Sequence, residues 1–199
     1  MSIFTNIILL YKISNYNINE FVNINTNNNT DTTNKIKIDN LVVESLQIDN
    51  MIIKQIFKVS QIKNLTFGSK LNFTEIINKN NIPNNLVSIT FNDEFDFSLD
   101  LISKLTNLKE LTFGTMFNKP IDNLNRLVNL KKLSFGTCFN QPIDSVGKLK
   151  NLESITFGYS FNQSIIVLSE LVNLNTIVFG DEFNQSLFGL DKLTKLEHL

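Results

Sequence analysis

Leu111-Thr112-Phe113-Gly114-Thr115-Met116-Phe117-Asn118-Lys119-Pro120-Ile121 returns 22 residues later as Leu133-Ser134-Phe135-Gly136-Thr137-Cys138-Phe139-Asn140-Gln141-Pro142-Ile143. Outward from this pair the strand kernel recurs as Ile155-Thr156-Phe157-Gly158 and Ile177-Val178-Phe179-Gly180, at the same spacing. Ile89-Thr90-Phe91-Asn92 precedes Leu111 by 22 residues, and Leu65-Thr66-Phe67-Gly68 lies 24 before that. Other columns keep phase. Phe161-Asn162-Gln163-Ser164-Ile165 and Phe183-Asn184-Gln185-Ser186-Leu187 follow the Phe-Asn-x-Pro-Ile pattern, and Leu105-Thr106-Asn107-Leu108 matches Leu127 to Leu130, Leu149 to Leu152 and Leu171 to Leu174. Leu193-Thr194-Lys195-Leu196 is a further copy with Lys in place of Asn, and Leu199 falls where another strand would start.

A fixed period of this length with a Leu-x-x-Leu-x-Phe kernel predicts a right-handed leucine-rich-repeat-like solenoid of short parallel strands with irregular or 3₁₀ return segments. In Leu111-Thr112-Phe113 the period-two alternation sends Leu and Phe inward and Thr outward. Gly114 ends the strand and lets the backbone turn. Phe117 and Ile121 re-enter the core, and Leu124, Leu127 and Leu130 recur at spacing three, which suits a 3₁₀ turn. One coil cannot bury its own apolar face, but coils stacked about 4.8 Å apart can. The columns Phe113, Phe135, Phe157, Phe179 and Phe117, Phe139, Phe161, Phe183 are therefore expected as core, each side chain contributing roughly 1.5–3 kcal/mol when fully buried. Asn118, Asn140, Asn162 and Asn184 each follow a core Phe at a bend. They are read as an asparagine ladder satisfying backbone groups of their own and the next coil. The column Asn107 to Asn173 is read as making local turn bonds before each strand.

The chain has 199 residues, net charge −1 and 42% apolar residues, enough for a sizeable core. Its 31 Asn, against no Ala and a single Arg, fit an AT-rich coding bias. Near-zero net charge offers no field for nucleic acid. One Cys excludes a disulfide scaffold and fits a reducing, intracellular compartment. No apolar run is long enough to span a membrane, and the apolar N-terminus lacks the basic flank and cleavage site of a signal peptide. Five glycosylation sequons, at Asn28, Asn64, Asn72, Asn162 and Asn184, are what so many asparagines produce by chance. Residues 1–34 are read as an N-terminal segment whose Asn-rich part, 15–34, is a loop. Residues 35–64 are read as irregular capping coils around Ile36-Lys37-Ile38-Asp39 and Leu46-Gln47-Ile48-Asp49, and 65–199 as the repeat array.

Phe-Asn-x-Pro-Ile followed by Leu-x-Asn-Leu-x-x-Leu-x-Phe-Gly resembles the FNIP repeat family, most fully at residues 117–121 and 139–143, with Ser for Pro at 164 and 186. The resemblance covers roughly residues 60 to 199. It implies a branch of the leucine-rich-repeat superfamily typical of social amoebae and of giant DNA viruses of amoebae. Members often carry an N-terminal F-box, which implies substrate recognition for a ubiquitin ligase. The first 60 residues here have no Leu-Pro opening and no clear F-box helical pattern.

No catalytic, cofactor or metal site is expected. The one His is next to last, there is no phosphate-binding glycine loop, and Asp93, Glu94 and Asp96 lack calcium-loop spacing. Cys138 sits in a column with Glu94, Met116, Ser160 and Glu182, a pattern that does not suit a nucleophile. The outward column Thr66, Thr90, Thr112, Ser134, Thr156, Val178 lines one face, and with Glu110, Lys132, Thr115 and Tyr159 it is the expected surface for an unidentified protein partner. Lys104, Arg126, Lys148, Glu170 and Lys192 read as a solvated ridge. The expectation is a non-enzymatic interaction module. The alternatives are a ubiquitin-ligase adaptor with a degenerate F-box and a truncated, non-functional paralogue. An uncapped final coil (Phe179, Phe183, Leu187) predicts end-to-end self-association.

Overall fold

The computed structural model describes residues 22–25, 40–43, 62–68, 82–100 and 102–199. The chain divides into two compact units, Met1–Leu86 and Val87–Leu199. In the first, β1 (Val22–Asn25) pairs antiparallel with β2 (Asn40–Val43), which pairs in parallel with β3 (Asn64–Phe67). The strand β1 falls inside the stretch expected as a loop. Its Val-Asn-Ile-Asn alternates with period two, and its backbone is committed to β2 in a four-residue register. The two kernel-like stretches at 36–39 and 46–49 lie outside the described residues, save Asn40–Val43 between them. Leu65 and Phe67 of β3 are buried while Asn64 and Thr66 are half-buried. Leu65–Phe67, where the array was expected to begin, lies in the first unit.

The second unit is a parallel stack of β4 (Ser88–Thr90), β5 (Glu110–Thr112), β6 (Lys132–Ser134), β7 (Ser154–Thr156) and β8 (Thr176–Val178). The register steps by one repeat each time, pairing Ile89 with Leu111, Leu111 with Leu133, Leu133 with Ile155 and Ile155 with Ile177. A single parallel bridge, Thr176 to His198, continues it. On the return side, 3₁₀ turns at Ile102–Lys104, Asp122–Arg126, Asp144–Lys148, Ile166–Glu170 and Leu190–Lys192 occupy the expected place. The cause is the spacing of three. The Leu124 amide donates to Ile121 O, Leu127 to Leu124 O and Leu130 to Leu127 O, each at 2.9 Å. All four side chains are buried together on one edge of the turn.

The core is built of ring pairs. Within each coil two phenylalanines stack, Phe113 on Phe117 at 4.0 Å, Phe135 on Phe139 at 3.8 Å and Phe157 on Phe161 at 3.9 Å. Between coils the same rings follow at 5.5 to 6.0 Å, nearly parallel. Such pairs add about 0.5–1.5 kcal/mol beyond their burial. The last pair, Phe179 on Phe183, is stacked at 3.9 Å but only half-buried, and Leu187, Phe188 and Leu199 are exposed.

The glycine column has a different cause from the one expected. None of Gly114, Gly136, Gly158 or Gly180 takes a positive φ, so a left-handed turn is not what selects them. Space does. A Cβ on Gly136 would lie 2.0 Å from Gly114 O, and one on Gly158 1.9 Å from Gly136 O. Adjacent coils approach here backbone to backbone.

Candidate interaction face

Four of the predicted face residues come from one column. Thr112, Ser134 and Thr156 occupy equivalent positions on β5, β6 and β7, paired directly across the sheet, with Thr90 before them and Val178 after. The inward Leu and Ile at the middle of each strand are buried and fix the register, so the outward hydroxyls are held in a row. The four hydroxyl residues are half-buried and Val178 is 44% exposed. Glu110 and Lys132 lie one column earlier and pair at 3.2 Å, both side chains well exposed. Past the glycines lie Met116 and Tyr159, 56% and 50% exposed. Thr115 is placed otherwise than as a free contact: its amide (3.0 Å) and its hydroxyl (2.7 Å) both donate to Asp93 Oδ1. These two bonds, the hydroxyl's first, hold the Asp93 carboxyl below its usual range.

At the strand entry a groove of about 340 Å³ is lined by Lys131, Asn151, Glu153, Asn173, Asn175 and Lys195. Lys131 pairs with Glu153, and Lys195 Nζ donates to Asn173 Oδ1 at 2.7 Å, so its charges are already committed. The Asn129, Asn151 and Asn173 amides donate from Nδ2 to Thr106 O, Val128 O and Lys150 O at 2.8 to 2.9 Å. This corrects the local-turn reading. Each Asn reaches back to a carbonyl of the preceding coil, 23 residues earlier.

Along the bend, Asn118 Oδ1 accepts the Asn140 amide and Gln141 Nε2, both at 3.0 Å. Asn140 does the same for Asn162 and Gln163, and Asn162 for Asn184 and Gln185. The glutamine partners were not singled out from sequence. Their column, Lys119, Gln141, Gln163, Gln185, directly follows the Asn column and carries the signal. In the first coil the chemistry changes but the geometry does not. Asp96 Oδ1 accepts the Asn118 amide at 2.9 Å while Lys119 Nζ lies 2.8 Å from Asp96 Oδ2. Burial pushes the Asp96 carboxyl up, but the Lys119 ammonium and the Asn118 amide outweigh it and hold it below the usual range. Asp93 and Asp96 thus act as coil-to-coil acceptors, and Glu94 is exposed. Cys138 is an exposed free thiol. On the return side Lys150 holds the Glu170 carboxyl low through a 2.9 Å bond.

Two solved internalins from Listeria monocytogenes share this architecture. The chain is similar to internalin InlF at 16% identity over 75% of its length, with a TM-score of 0.58, and to internalin C2 at 20% identity over 80%, with a TM-score of 0.52. The fold is a leucine-rich-repeat solenoid. The chain spans 43% and 59% of those two proteins' lengths. A circular leucine-rich-repeat protein, CroV588, matches at 24% identity over 73% of the chain but with a TM-score of only 0.38. No family model matches the sequence, and no curated protein matches it.

Among the described residues, no helix is long and apolar enough to cross a membrane.

Proposed function

We propose that this chain is a non-enzymatic interaction module of FNIP-type repeats that binds a protein partner through the outward face of β4 to β8. The observation that carries the reading is the row Thr90, Thr112, Ser134, Thr156 on a rigid backbone, with Met116, Tyr159 and Val178 exposed around it. The hydroxyls supply adaptable hydrogen bonding, and the large exposed side chains supply the apolar anchors that interfaces concentrate. A stacked core of paired phenylalanines makes the row stiff, so little conformational entropy is lost on docking. The free thiol at Cys138 supports an intracellular setting.

The test is affinity capture from lysate with the intact chain and with a Thr112→Arg, Ser134→Glu, Thr156→Arg variant that retains the far-ultraviolet dichroism of the parent. The expected result is loss of partners that the parent recovers. Unchanged recovery by the folded variant would reject this face.

A further inference from the structure

Two rows of like charge run side by side up the return side of the second unit. Asp122 and Asp144 open successive 3₁₀ turns, with Asp100 two residues ahead of the turn before them, and Lys104, Arg126 and Lys148 stand at the three turn ends; in the fourth coil Ile166 and Glu170 take the two places, and Glu170 feels the Lys148 charge. All six charges of the first three coils are exposed, and no ion pair joins any of the three cations to another described residue. Neighbouring turns are tied in register by Ser145 Oγ donating to Ile121 O at 2.9 Å and by Asn123 Nδ2 donating to Asp100 Oδ1 at 2.6 Å. Four 3₁₀ residues separate the rows by about 8 Å, and successive coils repeat each row about every 4.8 Å. The acidic column continues in the next two coils as Ile166 and Phe188, 49% and 73% exposed.

A linear polyanion laid on the basic row would run beside the acidic row at about 8 Å, within the Debye length of about 10 Å at 0.1 M salt, and a polycation would meet the opposite penalty. A surface carrying the same two rows in exchanged order satisfies both. We infer that this face docks a second copy of the chain, back to back, about a two-fold axis parallel to the coil stack. That axis places Lys104, Arg126 and Lys148 over Asp100, Asp122 and Asp144 of the second copy, coil against equivalent coil, and sets every pair twice. The perpendicular in-plane two-fold would set acid on acid and base on base, so the rows choose the orientation. In the chosen one the fourth coil sets Glu170, already paired with Lys150 of its own chain, against Ile166, so the charge pairing rests on the first three coils; in the fifth, Lys192 faces Phe188 of the other copy, a cation over an aromatic ring. Five coils at this spacing and a return segment about 20 Å wide offer roughly 400–500 Å² per copy, less than the ~800 Å² of a standard interface. The dimer is therefore weak and salt-sensitive. It leaves the outward strand face free, and it stands whether or not that face binds a partner.

Sedimentation equilibrium of the full chain across a concentration series, at low and high salt, tests this. The mass should rise at low salt toward twice 22.8 kDa, stop there, and fall back at high salt. A variant with Asp122→Lys and Asp144→Lys and a variant with Arg126→Glu and Lys148→Glu should each lose at least about tenfold in self-affinity. Mixed together they should form a heterodimer, because their rows are again opposite; that recovery also shows both variants are folded. A chain that stays monomeric at low salt overturns the inference. So do a dimer indifferent to salt and to both variants, a mixture that does not pair, and growth beyond two copies, which is the mark of end-to-end stacking.

Discussion

A methyl group on Gly136 would sit 2.0 Å from the Gly114 carbonyl oxygen, so Gly136→Ala must push two coils apart. We expect it to cost about 1–3 kcal/mol, as overpacking in a tight core does, measured by urea denaturation. Asn140→Ala removes the acceptor for the Asn162 amide and Gln163, and the unmet donors should cost about 1–3 kcal/mol. The Asp96–Lys119 pair shows how the same joint can be made with charge. Asn140→Asp combined with Gln163→Lys should therefore recover most of that loss, and a double-mutant cycle reads the recovery directly. The Phe, Leu and Asn columns were legible in the sequence because a period of 22 repeats five times. The reason for the glycines was not. Sequence offers two uses for glycine, a left-handed φ or absence of a side chain, and only backbone separation tells them apart. The far reach of Asn129, Asn151 and Asn173 was hidden for a related cause, since a column reports a position and not the direction of its donor.

At the scale of one coil against the next, the first joint of the second unit differs from the rest. The Thr115 and Asn118 backbone amides donate to carboxylates, whereas the Asn140, Asn162 and Asn184 backbone amides, the later counterparts of Asn118, donate to side-chain amide oxygens. Asp93 and Asp96 have their folded pKa values lowered, so the stability they contribute is present above the ordinary carboxylate range, near pH 4, and is lost as pH falls through the lowered values. We expect amide resonances of Thr115 and Asn118 to titrate in acid below that range, while those of Asn162 and Asn184 hold still. Burial of the ring pairs makes a contrasting, pH-independent prediction. Phe139, fully buried and stacked on Phe135, should lose about 3–5 kcal/mol on change to Ala. The 3₁₀ turns were legible from the spacing of three in Ile121, Leu124, Leu127 and Leu130. The strand Val22–Asn25 was not, because its pairing with Asn40–Val43 is a non-local commitment inside an Asn-rich stretch whose composition argues for a loop.

For the whole molecule, the division at Leu86 and Val87 falls where the repeat spacing is irregular, between the kernels at Leu65 and Ile89. Sequence showed the break in period but gave no physical ground for treating it as a boundary. Beyond it, each coil touches its neighbours in a fixed one-repeat register, and stability is expected to be a sum over coils and their interfaces. This one-repeat register, which stacks every column on its own kind, holds the second unit together. Its most direct test is deletion. Removing residues 133–154, one full repeat, joins Lys132 to Ile155 and keeps every column in phase; removing only residues 133–143 throws every later column onto the wrong face. Thermal unfolding followed by circular dichroism should show a cooperative transition for the full-repeat deletion, at a lower midpoint than the parent, and none for the half-repeat deletion. Equal loss of structure in the two, or equal retention, would contradict the account.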